Sequence, residues 1–142
     1  MRWATRVDCH VDRTACAWLI LRFVDPEAEF VFVADPQDLP ADATPFDIPG
    51  HPFSHHDGDS TFEVMVSHYE IHDEGVARIA QIVHEADIED ERYDAPEAVG
   101  LDTIIRGLGK VLSDDQRLID ASLSIYDGLL ATYRPQAKSE AG

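Results

Sequence analysis

Positive charge is what this sequence has least of. Only 11 Lys and Arg stand against 28 Asp and Glu, so the net charge at neutral pH is −17. So large an acidic excess repels phosphate backbones and anionic lipids, which argues against nucleic-acid binding and against a membrane partner. Cysteine is scarce as well. Cys9 and Cys16 cannot build a framework of several bridges, and their spacing is not CxxC. The opening MRWATRVDCHVDR has no apolar core of a signal peptide. No stretch approaches the roughly 18 apolar residues of a membrane-spanning helix. The expected compartment is therefore the reducing cytoplasm. GxGxxG, P-loop and GxSxG motifs are all missing, and Gly107-x-Gly109 is a lone fragment without weight.

What is present suits one domain. A chain of 142 residues with 44% apolar content can bury roughly 70% of its unfolded surface without staples. Trp3 to Arg6 reads as a short strand. Asp12 to Val24 reads as a well-buried helix, with Asp12 as its N-cap and Asp25-Pro26 as its stop. Glu29 to Val33, aromatic and β-branched, reads as the best strand. Five prolines between Asp35 and Pro52 make that stretch mostly loop, with one short strand near Phe46 to Ile48. Helices follow near Ser60 to Glu70, Asp73 to Ile88, Pro96 to Leu112 and Asp114 to Arg134. Ser113-x-x-Gln116 is read as the capping box of the last. The class is α/β (α+β): a small sheet near the N-terminus packed against a mainly helical second half. Residues 1–135 form the expected domain, and 136–142 a flexible C-terminal tail.

The chemistry-bearing residues cluster. His51, His55, His56, His68 and His72 fall close together, with Asp57, Asp59 and Glu63 among them. Imidazole with carboxylate suits Zn, Mn or Fe(II); the plainer reading is a solvated polar loop. His84-x-x-Asp87 puts a second His and acid on one helix face. Glu63 has two readings of equal standing, as a metal ligand or as the return arm of a Ser60-x-x-Glu63 capping box. His68-x-x-x-His72 has zinc-pair spacing, but Tyr69 stands where HExxH needs Glu. Arg6, Arg13 and Arg22 are notable in so acidic a chain, as oxyanion binders or as ordinary ion-pair partners. Cys9 and Cys16 are read as reactive thiols or, for Cys16, as a small apolar packing residue.

Val11-Asp12-Arg13-Thr14-Ala15-Cys16-Ala17-Trp18-Leu19-Ile20, followed by Arg22-Phe23 and Asp25-Pro26, resembles the opening of the C-terminal domain of the chromate-resistance protein ChrB family. Phe53-Ser54-His55 with Thr61-Phe62-Glu63, Ile82-Val83-His84 with Asp87, Pro96-Glu97-Ala98 with Gly100-Leu101, and Tyr126-Asp127 with Leu129 are similar to later segments of it. The resemblance runs from Trp3 to about Tyr133. Ser60 stands where many relatives are expected to carry Cys, which weakens a thiol mechanism there. The chain reads as the domain alone, without the DNA-binding or sulfurtransferase partner to which such domains can be fused. The resemblance implies a link to chromate or oxidative stress without naming a reaction.

The resulting expectation is a metal-dependent enzyme with His55, Glu63, His84 and Asp87 as ligands of a divalent Zn, Mn or Fe ion. Asp12, Arg13 and Tyr126 are the expected catalytic or substrate-positioning groups, acting on water or a small oxyanion substrate. The rival is a non-catalytic chromate- or metal-sensing module. A homodimer is compatible with either.

Overall fold

The computed structural model describes residues 1–135; the expected tail at 136–142 lies outside them. Strand β1 (Arg2–Arg6) is central in a three-stranded sheet, between β2 (Glu29–Val33) and β3 (Ala43–Pro45), in the order β2-β1-β3. Both pairings are parallel, with Trp3 opposite Phe30 and Thr44. A central parallel strand is covered on both faces, and Trp3, Ala4 and Thr5 are accordingly buried. The short strand expected at Phe46 to Ile48 begins three residues earlier. Pro45 has no N–H to give and sits on an edge strand, where none is needed, and Phe46 still donates its N–H to Ala4.

Helix α1 (Val11–Leu19) makes the crossover from β1 to β2, and it continues as a π-helical turn over Ile20–Val24. The expected single α-helix to Val24 is thus α-helical only to Leu19. Its wide turn closes with the Asp25 N–H on the Ile20 carbonyl, five residues back, and Asp25 is extended before Pro26. The N-cap is His10. Asp12 lies inside the first turn instead, and its carboxylate serves another helix.

Helices α2 (Thr61–His68), α3 (Glu74–Asp87), α4 (Glu97–Leu112) and α5 (Asp115–Tyr133) form the second half. Helix α3 packs against α1, α2, α4 and α5, which makes it the hub of the helical layer. Trp18 of α1 stacks on Phe62 of α2 at 6.4 Å between ring centres and lies 5.8 Å from the ring of Tyr126 on α5. Such a three-helix aromatic knot orients the elements more tightly than aliphatic contacts do. The expected Ser113-x-x-Gln116 capping box does not form. Ser113 ends α4 in the left-handed conformation (φ 57°), and the extended cap position falls to Asp114. Gln116 bonds Asp120 instead.

Helix α2 shows why its start is sharp. The Ser60 N–H reaches Glu63 Oε1 at 2.8 Å, and Glu63 returns its N–H to Ser60 Oγ at 3.2 Å. The two N–H groups in between, of Thr61 and Phe62, go to Asp12 at 2.9 and 3.0 Å. Every donor left over at this helix start is met inside the protein, which matters because Ser60, Thr61 and Phe62 are all dry.

Candidate metal centre

Parallel sheets place their clefts at the carboxyl ends of strands, where successive connections leave in opposite directions. Here β1 is followed by β2 on one side and has β3 on the other. Arg6 ends β1 and Asp47 follows β3, and both line a cleft of about 370 Å³ together with Arg13, Ser54, His55 and Asp87. The loop that carries His55 is braced from within. Ser54 Oγ donates to the His51 carbonyl at 2.7 Å, and His56 Nε2 lies 3.0 Å from that of Pro52. Gly58 turns the loop at φ 84°, and a Cβ there would stand 2.8 Å from Arg92, which holds the Gly58 carbonyl.

Three side chains from three elements meet in the cleft. His55 Nε2 lies 3.1 Å from Asp12 Oδ2 and 3.0 Å from Asp87 Oδ2. Asp12 is buried in the first turn of α1. Asp87 is the last residue of α3, and the His55 side chain is 48% exposed. Asp47, in the left-handed region at φ 54°, adds a carboxylate 3.9 Å from the same nitrogen. Arg13 holds Asp47 with a 2.9 Å bond, and Thr61 Oγ1 donates to it at 2.7 Å. Arg13 also donates to the carbonyls of Arg6 and Val7, both at 3.1 Å, which ties the end of β1 to α1.

The electrostatics follow from this crowding. The hydrogen bond to Asp12, assisted by the charges of Asp12, Asp87 and Asp47, raises the His55 pKa to about 9. Burial, with the Asp12 charge beside it, raises Asp87 to about 6. Asp87 also stands at a helix C-terminus, where a carboxylate is disfavoured and a cation favoured. Burial likewise pushes Asp47 up, with Asp12 again contributing and Arg13 opposing. One ring nitrogen can direct its single N–H well at only one of two acceptors. Asp12, His55 and Asp87 each offer a ligand atom within 4.8 Å of the others, a set that could hold a cation.

The four expected ligands fall into two groups. His55 and Asp87 meet each other, and the third member of their set is Asp12, expected as a catalytic or positioning group. Glu63 and His84 meet each other elsewhere. His84 is fully buried, with Nδ1 2.6 Å from Glu63 Oε1 and Nε2 2.8 Å from Asp90 Oδ1. Tyr93 donates to the second oxygen of Glu63 at 3.1 Å, and Glu85 lies 3.8 Å from His84 Nε2. Of the two readings of Glu63, the capping box forms, and the same carboxylate also bonds His84. Arg13 faces the cleft as an ion-pair partner of Asp47. Tyr126 is buried away from it, its hydroxyl 2.7 Å from Thr14 Oγ1 and 3.2 Å from the Val11 carbonyl. The thiols of Cys9 and Cys16 are buried and free, and burial pushes both well above the usual range, which disfavours the nucleophilic thiolate. Sequence reasoning passed over Asp47, Asp90 and Tyr93. Asp47 had one signal, an acid just beyond a strand of a parallel sheet, which the misplaced strand at Phe46 to Ile48 hid.

Comparison with known proteins bears on the whole chain. Residues 3–133 match the family model described as ChrB, C-terminal domain. Protein ChrB of Cupriavidus metallidurans is 36% identical over 138 residues, which cover 96% of this chain and 42% of that protein. This chain therefore spans less than half the length of the relative it matches. No solved structure matches it. A match across nearly every described element, from β1 to the end of α5, places the chain in the ChrB C-terminal domain family.

Proposed function

We propose that this chain is a metal-dependent enzyme domain whose divalent cation is held by Asp12, His55 and Asp87 and serves to bind or activate water or a small anionic substrate. One observation carries the reading: a single imidazole nitrogen is 3.1 and 3.0 Å from two carboxylate oxygens. Ligand atoms about 2.1 Å from one cation stand about 3–3.4 Å apart, and an imidazole with two carboxylates suits Zn, Mn or Fe(II). The bound cation would supply positive charge to polarise water or an anion. Among the chain's own groups, α2 fixes the orientation of Asp12, and Arg13 with Thr61 fixes Asp47 beside the site. The half-exposed face of His55 leaves room for a substrate. Membership of the chromate-resistance family supports an association with chromate resistance and gives no reaction.

The competing reading, a non-catalytic sensing module, draws on Asp12. The same carboxylate that would bind the cation caps α2, so occupancy would be felt in the packing of α1 on α2. Turnover of a substrate separates the two readings. No described helix is long and apolar enough to cross a membrane, and the expected cytoplasmic setting remains part of this proposal.

Calorimetric titration of the metal-free protein with Mn(II) tests the site. His55→Ala and Asp87→Asn are each expected to weaken binding by about 100-fold or more, about 2.7 kcal/mol. Glu63→Gln, in the other cluster, is expected to leave it within a factor of about three. Equal affinity in all four proteins would overturn the assignment.

A second outcome separates a functional carboxylate from a structural one. An acid whose pKa is raised by the fold from 3.8 to about 6 destabilises the folded state, with the penalty absent below the unfolded value and complete above the folded one. Asp87→Asn is therefore expected to stabilise the metal-free protein by on the order of 2 kcal/mol above pH 6. The gain should fade as pH falls toward 4. Urea melts at stepped pH check this, and a loss of stability at pH 7 would contradict it.

A further inference from the structure

Among the described residues one half-buried arginine has no acid paired to it. Seven of the chain's nine arginines hold a carboxylate within 4.0 Å among the described residues. Of the other two, Arg117 is exposed on α5 and solvated. Arg6 is half-buried at the carboxyl end of the central strand, and its Nε is sealed from solvent with no hydrogen-bond partner. It is the one such side-chain atom among the described residues. In a protein with 28 acids to choose from, Arg6 lines the cleft with no carboxylate paired to it, which leaves the outer N–H groups of its guanidinium to an acceptor from outside the chain.

We propose that the Arg6 wall of the cleft is an anion subsite, in which a small oxyanion places one oxygen on the Arg6 guanidinium and another on the cation held by Asp12, His55 and Asp87. This rests on the metal reading above. The ligand class follows from the donors. A guanidinium presents several N–H groups in a planar fork that matches a ligand with more than one oxygen, such as carboxylate, sulfate or phosphate. A halide is a single atom and has no separate oxygens to place on the two positive centres. A cleft of about 370 Å³ suits a small molecule, and the −17 charge of the chain repels a polyanion.

The local charges make the subsite conditional. Asp12, Asp47 and Asp87 face Arg6 and Arg13 around the cleft. Three carboxylates match or outweigh the cations around them, and Arg13 is already committed to Asp47. The metal-free cleft thus offers an anion no net positive charge, and a divalent cation supplies it. Anion and metal must then bind with positive linkage, each raising the affinity of the other by the same factor. Arg6 takes part in that linkage without touching the cation.

The test is calorimetric titration of the full chain with Mn(II) in chloride buffer and in buffers containing millimolar sulfate or acetate. Sulfate or acetate is expected to tighten Mn(II) binding by about tenfold, and the stronger of the two tells a tetrahedral dianion from a carboxylate. Arg6→Gln is expected to abolish that enhancement without weakening Mn(II) binding in chloride. Circular dichroism and the melting temperature report whether the variant folds, and Arg6→Lys, which restores the charge without the fork, should recover only part of the effect. Mn(II) binding that neither anion alters, or an enhancement that survives in Arg6→Gln, would overturn the subsite and leave the metal centre standing. An absence of Mn(II) binding in every buffer would overturn both.

Discussion

Asp12→Ala is expected to lose about 3–5 kcal/mol of folding stability and metal binding together. The carboxylate is 2% exposed and has four partners: the N–H groups of Thr61 and Phe62, the His55 ring and the Cys16 thiol at 3.6 Å. Alanine would leave two dry N–H groups of α2 without acceptors, at about 1–3 kcal/mol each. The loss also removes a negative charge from the positive end of that helix. For a domain of this size the melting temperature should fall by on the order of 10 °C. Asp12→Asn keeps one acceptor oxygen but turns an NH₂ toward the second N–H, so about half the loss is expected. Thermal and urea melts decide the matter. A loss below about 1 kcal/mol would mean that α2 does not depend on this cap.

The second large effect lies in the other cluster. His84→Ala is expected to destabilise the fold by about 3–5 kcal/mol, with little change in metal affinity for the protein that folds. The ring is fully buried and spans Glu63 and Asp90 at 2.6 and 2.8 Å, with Tyr93 edge-on at 5.1 Å. Both ring nitrogens face carboxylates, so the imidazolium form satisfies both bonds. Burial opposes that charge, but the bonds to Glu63 and Asp90 outweigh it and the pKa is raised. A histidine raised by folding contributes stability that is complete below its unfolded value, near 6.5. That contribution is lost as pH rises through the folded value. The gap between wild type and His84→Ala should therefore be widest in mild acid and should narrow in alkaline solution. Denaturant midpoints from pH 6 to 10 check the sign; a gap that widens with pH would mean that the ring is held neutral.

The two histidines show how chemistry and placement separate. From the sequence, His55 in its loop and Glu63, His84 and Asp87 on their helices are all candidates, since each has ligand atoms. Nothing in their spacing says that Glu63 turns toward His84 and that Asp87 turns toward His55. That is decided by how α2 and α3 cross, with Glu63 in the first turn of one and Asp87 at the last residue of the other. Asp12 is the sharper case. Its place before an apolar helical stripe looks like an N-cap, yet it caps a helix whose first residues lie 49 and 50 positions along the chain.

Local physics made other features legible. Local signals located all five helices, the first of which ends in a π-helical turn. The Ser60-x-x-Glu63 capping box forms as its sequence states, because it is closed within a single turn. Ser113-x-x-Gln116 has the same spacing and fails, because the preceding helix takes Ser113 for its left-handed end.

By itself, then, the sequence determined the class of the fold, the helix positions and the acidic net charge, all of which depend on composition and on neighbours a few residues apart, and it offered candidate ligands without saying which of them meet. Only the tertiary structure decided which of those residues converge, that Asp12 and not Glu63 completes the His55 and Asp87 set, and that Arg6 is left without an acid. Those outcomes depend on contacts between segments tens of residues apart, set by how helices and sheet pack and invisible to any local pattern.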